Sequence, residues 1–574
     1  MKFRTVLFAF LFALVISTAH AQSSEPETPA ARETPPDAKA YQEASRITNP
    51  AEKIAALEKF KKDFPDSPSV TSADMSILST LASKMPDQTA RIQQTAKTIL
   101  NGAKDKKEKG SLSAQIADSL LTNHVLLNDA EKYARTSVDS MKQAEFIADQ
   151  KAQFAKRAAA RKGNGDSPEP PTDQELIKRF NQSRAARLAI LGRIEFELDK
   201  TPAAVKVLTE AHAADRNLPG AEGTLGEIAV QKGDYAKGLE YLVSARLAGQ
   251  AAPSTVAALN TAYSKTHSGT TSGGSTAGLD ELLDAEYHKR FPNPLHLDAY
   301  RPNDKRSDRV VLAEVFTGGG CPPCVGADLA FDAAMERYAR KDLIVVMYHQ
   351  HVPRPDPMTN SDTQARSKYY DVKGVPTYVI DGATVRFNGA GRDGTKSVWE
   401  HIQPPIEKDL DSPAEEKIDI NASAAGNSVK VTAAVAAVNS ESKDLKIHIL
   451  LLEKEITYSG ENGIRYHPMV VRAMGGTHDD GFALAPGAPM SVEQYWDLDT
   501  LSASLKTQLD NYEAKGHRGN AFKFIEKKYQ IDRANLAVVV FVQDAKTKHV
   551  LQSAFVDLNP PAGHTPGSNS GEPK

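Results

Sequence analysis

Val310-Val311-Leu312-Ala313-Glu314-Val315-Phe316-Thr317-Gly318-Gly319-Gly320-Cys321-Pro322-Pro323-Cys324 is the stretch on which the fold turns. The apolar, β-branched run from Val310 to Phe316 reads as a buried strand, and three glycines end it. A helix follows, with Asp328 to Tyr338 in its body. Proline suits a first helical turn, where its missing N–H would have been unpaired anyway. Exposed amides and the dipole at such a terminus stabilise a thiolate and lower a cysteine pKa from about 8.5 into the ~3.5–7.5 range. Cys321 is therefore read as the exposed attacking thiol and Cys324 as its resolving partner. Pro323 removes a donor, which leaves the Cys324 amide as the nearest candidate to bond the Cys321 sulfur.

These are the only two cysteines among 574 residues, so no disulfide framework of the small secreted kind is present. They pair with each other, bind something, or exchange with a partner. A C-x-x-C is also half of a zinc knuckle, and structural zinc wants four ligands. Tyr348-His349-Gln350-His351 emerges from the next strand, Leu343 to Tyr348, and His349, His351 and Asp356 are the residues that would complete such a site. No metal is assigned. His349 and His351 are read as rim residues of the loop beside the pair, or as ordinary polar loop residues. The Pro-rich stretch from His349 to Thr363 is expected to be an ordered lid or rim.

Further on, Pro376 to Ile380 and Thr384 to Phe387 read as strands and Ser397 to Leu410 as a helix. Strand–helix–strand, then hairpin and helix, gives an α/β domain with a mixed sheet over 300–412. Alternating strands then take over: Val429 to Val438, Leu445 to Glu455, Met469 to Ala473, Ala537 to Gln543 and Val550 to Leu558. With turn signals between them they predict a sandwich-like β-domain over 416–558, interrupted by a helical insert from Leu501 to Tyr529. Gly460-Glu461-Asn462-Gly463 reads as a hairpin turn within it. Nothing there frames a nucleophile in the manner of G-x-S-x-G, so a packing or docking module is expected.

Upstream, residues 40–290 are rich in Ala, Leu, Lys, Glu and Gln and predict helices almost throughout. Breaks fall at Gly163 to Pro171 and at His267 to Gly278. Leu191-Gly192 is followed by Ala204, Leu208 and Ala211; Leu225-Gly226 is followed by Gly238, Leu242 and Ala245. The glycines stand 34 residues apart, and small residues are needed where paired helices cross closely. This region resembles tetratricopeptide repeats, whose period is the same; the resemblance implies protein–protein recognition. Ala55 to Phe60, leading to Pro65-Asp66-Ser67-Pro68, looks like the second helix of a further, degenerate unit. An unrelated helical bundle is the alternative.

At the N-terminus, Lys2 and Arg4 precede an apolar run from Val6 to Ile16, then Ala19-His20-Ala21. That is the layout of a secretory signal, expected over 1–21. As a helix the run rises about 16 Å, roughly half the hydrocarbon core, so no membrane span is expected. No cysteine stands at the cleavage site, so no lipoprotein anchor is expected. Residues 22–39 and 559–574 are expected to be a disordered linker and tail. The 70 basic and 73 acidic side chains nearly cancel, which offers no general argument for nucleic acid or anionic lipid.

Tyr370-Asp371-Val372-Lys373-Gly374-Val375-Pro376-Thr377 supplies the second signature. With the cysteine pair upstream, the chain resembles the thioredoxin superfamily, which places a cis-proline facing the cysteines. The resemblance implies that Val375–Pro376 is that bond, that Pro376 joins Cys321 and Cys324 in the catalytic site, and that Val375, Thr377 and Gly320 receive a client chain. Common thioredoxins carry aromatic residues before the first cysteine, where Gly318 to Gly320 stand here. Glu314 is not assigned as proton acceptor, since strand alternation can turn it away. Glu314-Val315-Phe316-Thr317-Gly318 followed by a β-domain looks like the Omp28-like branch of extracytoplasmic thioredoxin-fold proteins. The implied function is an extracytoplasmic thiol–disulfide oxidoreductase, periplasmic or secreted, acting without cofactor on protein thiols and disulfides, with the helical repeats recruiting envelope proteins. The alternative is an envelope scaffold in which the cysteines form a static disulfide or a metal clip.

Overall fold

The computed structural model describes residues 35–160, 170–249, 252–267, 276, 278–436, 442–476, 480–485, 487–517 and 522–559. The expected signal segment, the linker up to Thr34, most of both helical-region breaks and the tail beyond Asn559 lie outside the described residues. The linker expected to reach residue 39 ends earlier, because a helix begins at Pro36. Proline is at home there, in a first turn whose amides have no partner.

The chain forms two compact units, one up to Ala73 and one from Asp74 onward. The first holds α1 (Pro36–Arg46), α2 (Pro50–Asp63) and the start of α3 (Val70–Lys84). Asn49 caps α2 by accepting from the Ala51 and Glu52 amides, and the Tyr41 and Phe60 rings lie 5.6 Å apart.

The second unit continues with α4 (Thr89–Asn101), α5 (Lys106–Thr122), α6 (Leu127–Asp139), α7 (Gln143–Ala160) and α8 (Asp173–Glu197). Then come α9 (Thr201–Ala214), α10 (Pro219–Gln231), α11 (Tyr235–Leu247), α12 (Pro253–Thr266) and α13 (Leu279–Arg290). α8 packs on α9 and α10 on α11, and the two pairs cross alike. A Cβ built on Gly192 would lie 2.4 Å from Leu208 Cγ, and one on Gly226 would lie 2.4 Å from Leu242 Cγ. Arg193 reaches the carboxylate 34 residues on, donating to Glu227 at 2.6 Å. The spacing seen in the sequence is thus a repeated seating of a leucine side chain against a glycine of the preceding helix.

Beyond α13 the chain lays down β1 (Val311–Thr317), α14 (Val325–Arg337), β2 (Leu343–His349), α15 (Ser361–Tyr369), β3 (Thr377–Ile380), β4 (Ala383–Val385) and α16 (Thr395–Leu410). It goes on with β5 (Ile418–Ala425), β6 (Ser428–Val435), β7 (Leu445–Thr457), β8 (Tyr466–Met474), β9 (Phe482–Ala483), β10 (Met490–Asp497), α17 (Leu498–Lys515), β11 (Leu536–Asp544) and β12 (Val550–Asp557). Nine of these strands make one mixed sheet in the order β12-β11-β7-β8-β2-β1-β3-β4, with β9 beside β7. β10, β6 and β5 form a separate antiparallel sheet.

This corrects the expectation of a self-contained β-domain over 416–558. β8 joins β2 in parallel at Met347 and Val470, so the C-terminal strands continue the sheet begun by β1. Both partners are buried along most of their length, and each is paired on both sides, β2 by β1 and β8, β8 by β2 and β7, so neither offers a free edge at which a domain could end. The helical insert also proves shorter: α17 ends at Lys515, and residues 522–529 are not helical.

The large sheet rolls back on itself. Val310 N donates to Gln552 Oε1 at 2.8 Å and Ser553 Oγ to the Val310 carbonyl at 2.8 Å, and the Val550 amide bonds Asp381 O at 3.2 Å. β12 therefore meets β1 and the β3–β4 turn. Leu312 and Phe316 point inward, with Tyr348, Leu452 and Phe541. Val311, Ala313 and Val315 point outward beneath α14 and α16. Around the other end, the small sheet lies on β7 and β11, with Val431 and Ala433 against Ile449 and Val538.

The glycine contacts in α10 make a test within one helix. Gly226→Ala forces Leu242 aside and should cost about 1–3 kcal/mol. Gly220→Ala meets only Ala189 Cβ at 3.8 Å and should gain up to about 1 kcal/mol from helix propensity. Urea unfolding of both variants checks the opposed signs.

Candidate functional site

β1 ends at Thr317 and hands the chain to the glycine turn. Cys321 and Cys324 are joined by a disulfide. Pro322 to Cys324 form a single 3₁₀ turn that runs straight into α14, so the pair opens a helical segment as the prolines suggest. The Cys324 amide does not face sulfur; it donates to the Cys321 carbonyl at 3.1 Å, which closes the turn.

Opposite the pair stands the loop after α15. The Val375–Pro376 bond is cis, and the Val375 carbonyl oxygen lies 3.7 Å from Cys321 Sγ. Thr377 begins β3, with its Oγ1 donating to Gly374 O at 2.8 Å. A third segment locks the two together: a Cβ on Gly389 would lie 2.3 Å from Pro323 O and 2.5 Å from Pro376 Cδ. Gly326 N bonds the neighbouring Ala390 carbonyl at 2.7 Å. Gly389 had no signal in the sequence beyond being a glycine between two elements.

The glycines before Cys321 are there for neighbours that pass close. Side chains would meet Val352 O at 2.9 Å on Gly318, Tyr458 Cε1 at 3.4 Å on Gly319, and Arg354 Cβ at 2.9 Å on Gly320. The 350–356 loop and the β7–β8 hairpin tip thus close over the turn. Asn462 N donates to Gly319 O at 2.9 Å, and Asn462 Nδ2 reaches Gly318 O at 3.3 Å and Cys321 O at 3.4 Å. Glu461 on the tip pairs with Arg354 on the loop. The consequence corrects the reading of Cys321 as an exposed thiol: in the disulfide form it is 1% exposed, while Pro322 and Pro323 are open to solvent. The tip was legible as a turn but not as a cover, because only tertiary packing brings it here.

His349 is not a rim residue either. It is 1% exposed and its Nδ1 lies 2.8 Å from Asp356 Oδ2, which also accepts from the Gly319 amide at 2.6 Å. Burial alone would raise the Asp356 pKa; His349 and the Gly319 and Met358 amides outweigh it and hold the carboxyl down at about 2. His351 is half-buried, stacked on Tyr512 at 3.8 Å, and burial pulls its pKa down to about 4. Among the described residues no group of three or more His, Cys, Asp or Glu is arranged to hold a metal ion.

One helical turn after Cys324 lies Asp328, which carried no assignment. It is 5% exposed and accepts from Thr317 Oγ1 at 2.7 Å. Burial pushes its pKa up to about 7, against the opposing pull of that hydroxyl. Glu314 turns into the rolled interior. There Arg366 Nε and Nη2 donate to its two oxygens at 2.7 and 3.0 Å, and the Tyr348 and Tyr370 hydroxyls donate at 3.0 and 2.6 Å.

No protein-family model and no curated protein matches the chain. Among solved structures, HBP35 of Porphyromonas gingivalis is similar over 46% of this chain and 81% of that one, at 14% identity and a TM-score of 0.31. A likeness of that size carries no argument about fold or function.

Asp328 makes stability depend on pH. Its folded pKa lies above the unfolded 3.8, so its contribution is greatest below that value and is lost as pH rises through about 7. Asp328→Asn does not titrate. Its stability relative to wild type should therefore rise by on the order of 2 kcal/mol between pH 5 and pH 8, as read by urea unfolding at the two pH values. A pH-independent difference would mean that the carboxyl is ordinarily solvated.

Proposed function

We propose that the chain is an extracytoplasmic thiol–disulfide oxidoreductase of thioredoxin-like type, exchanging disulfides with protein clients through Cys321 and Cys324. The observation that carries this is the Val375 carbonyl 3.7 Å from Cys321 Sγ, on the loop whose Pro376 follows a cis bond. The sulfur to be attacked therefore sits beside backbone able to receive an extended chain. In the direction that starts from the oxidised pair, a client thiolate attacks Cys321 Sγ. The Cys321–Cys324 bond breaks and Cys324 leaves as a thiolate. A second client thiolate then attacks the mixed disulfide at the client sulfur, forming the client disulfide and releasing Cys321 as a thiolate. Two electrons pass from client to pair, and the steps reverse when the client is oxidised. Val375 lies beside the sulfur; it and the neighbouring Thr377, with Gly320 next to Cys321 in the chain, are assigned to client contact.

The helical pairs α8–α9 and α10–α11 are read as tetratricopeptide-like, recruiting envelope proteins. Support for this comes from the Gly–Leu crossing repeated at 34 residues. Among the described residues no helix is long and apolar enough to cross a membrane; a periplasmic or secreted location rests on the N-terminal signal pattern.

One observation favours the second reading, a scaffold with a static disulfide: Cys321 is 1% exposed. Trapping separates the two. In Cys324→Ser, Cys321 has no resolving partner, so dithiothreitol-sensitive adducts with envelope proteins should accumulate well above those of Cys321→Ser. Reduced wild type should also be alkylated by iodoacetamide first at Cys321 and well below pH 8. Equal adducts from both variants would favour the scaffold, and first labelling at Cys324 would reverse the assigned roles.

A further inference from the structure

Arg246 on α11 is a buried cation that forms no ion pair with the described residues. It is 7% exposed, and its protein acceptor is the Ser459 carbonyl, 2.6 Å from Nη1. The carboxylates around it are engaged elsewhere. Arg465 holds Asp280 and Asp284 at 3.1 and 2.6 Å, Lys528 pairs with Glu526, and Glu461 pairs with Arg354. Burial pulls the Arg246 pKa down, against the smaller opposing pulls of Tyr458, Glu526 and Glu461. A guanidinium carries five donors, and leaving a buried charge uncompensated is costly unless something supplies the missing partner.

The space for that partner is present. Arg246 lines a cavity of about 360 Å³ between the last helices and the end of β7. Its helical wall mixes Val256, Leu259, Leu279 and Leu283 with the polar Asn260, Asp280 and Asp284, and Ile525, also in the lining, is 39% exposed. The size falls at the small end of ligand sites; six charged side chains line the cavity, and five of them pair with one another, Arg465 with Asp280 and Asp284 and Lys528 with Glu526, which leaves Arg246 as the charge free to receive a ligand.

We propose that this cavity binds a small molecule with an apolar body and a terminal oxyanion, a carboxylate or a phosphate, with Arg246 as the anchoring cation. Arg246 also holds the hairpin tip through Ser459, so the ligand bears on the segment that covers Cys321. The binding claim does not depend on the redox reading.

The test is calorimetric titration of the full chain with hexanoate, hexyl phosphate, 1-hexanol and inorganic phosphate. Hexanoate or hexyl phosphate should bind at one saturable site at least tenfold tighter than 1-hexanol, and which of the two is tighter names the head group. Arg246→Met should reduce the acids to the level of the alcohol, while Arg246→Lys keeps part of the preference. Should Arg246→Met fail to fold, Val256→Trp decides: it fills the cavity from its half-buried wall and must abolish binding while the circular dichroism spectrum is kept. Equal affinity for acid and alcohol, no saturable binding, or binding of inorganic phosphate alone (an adventitious ion only) would each overturn the proposal, as would hexanoate binding that survives Val256→Trp.

Discussion

The ion pair of Glu314 and Arg366, sealed inside the rolled sheet, ties together the segments that carry the site. Glu314 is 1% exposed and Arg366 0%. Arg366 Nη2 also donates to Gln543 Oε1 at 2.8 Å, and Gln543 Nε2 to the Tyr370 hydroxyl at 2.7 Å. One cluster therefore fastens β1, β2, α15 and β11. The turn bearing Cys321 leaves the end of β1, and the loop bearing Pro376 follows α15, so the relative position of these halves is set by a bond beneath them. Such a pair is weak evidence for net stability, because desolvation offsets attraction. Removing one member leaves a buried charge, which typically costs about 3–5 kcal/mol. What the pair does in the structure is join α15 to β1 at a fixed place, through two hydrogen bonds to Glu314.

The same economy of connection runs outward to the helices. Arg465 bonds Asp280 and Asp284 of α13 as well as Ser459 Oγ. A Cβ on Gly249, after α11, would lie 2.3 Å from Glu461 O. The hairpin tip is thus held by the helices on one side and holds Gly319 and Cys321 through Asn462 on the other. The helices and the sheet meet at this tip, so independent modules joined by linkers are a poor description of residues 235–559. Access to Cys321 is a matter of how firmly the tip stays in place.

Local chemistry was legible and pairing between distant segments was not. The Cys321–Cys324 motif, the strand before it and the 34-residue crossing of Gly192 and Gly226 could be read because each is a short-range pattern with a steric or electrostatic cause. Strand alternation allowed Glu314 to turn away from the cysteines, yet nothing near it named Arg366, 52 residues away. The parallel join of β2 to β8 was invisible for the same reason, since both strands look equally buried whether or not they share a sheet. Gly318 to Gly320 were noticed as a departure from a pattern. Their cause, close passage of Val352, Tyr458 and Arg354, lies wholly in tertiary packing.

Cys321–Cys324 as an exchanging couple and Cys321–Cys324 as a fastening differ in reduction potential, which equilibration of the full chain against graded dithiothreitol and glutathione buffers measures. An exchanging pair should titrate reversibly as one two-electron couple between about −270 and −120 mV. A potential below about −300 mV, the range of structural disulfides in secreted proteins, would contradict exchange.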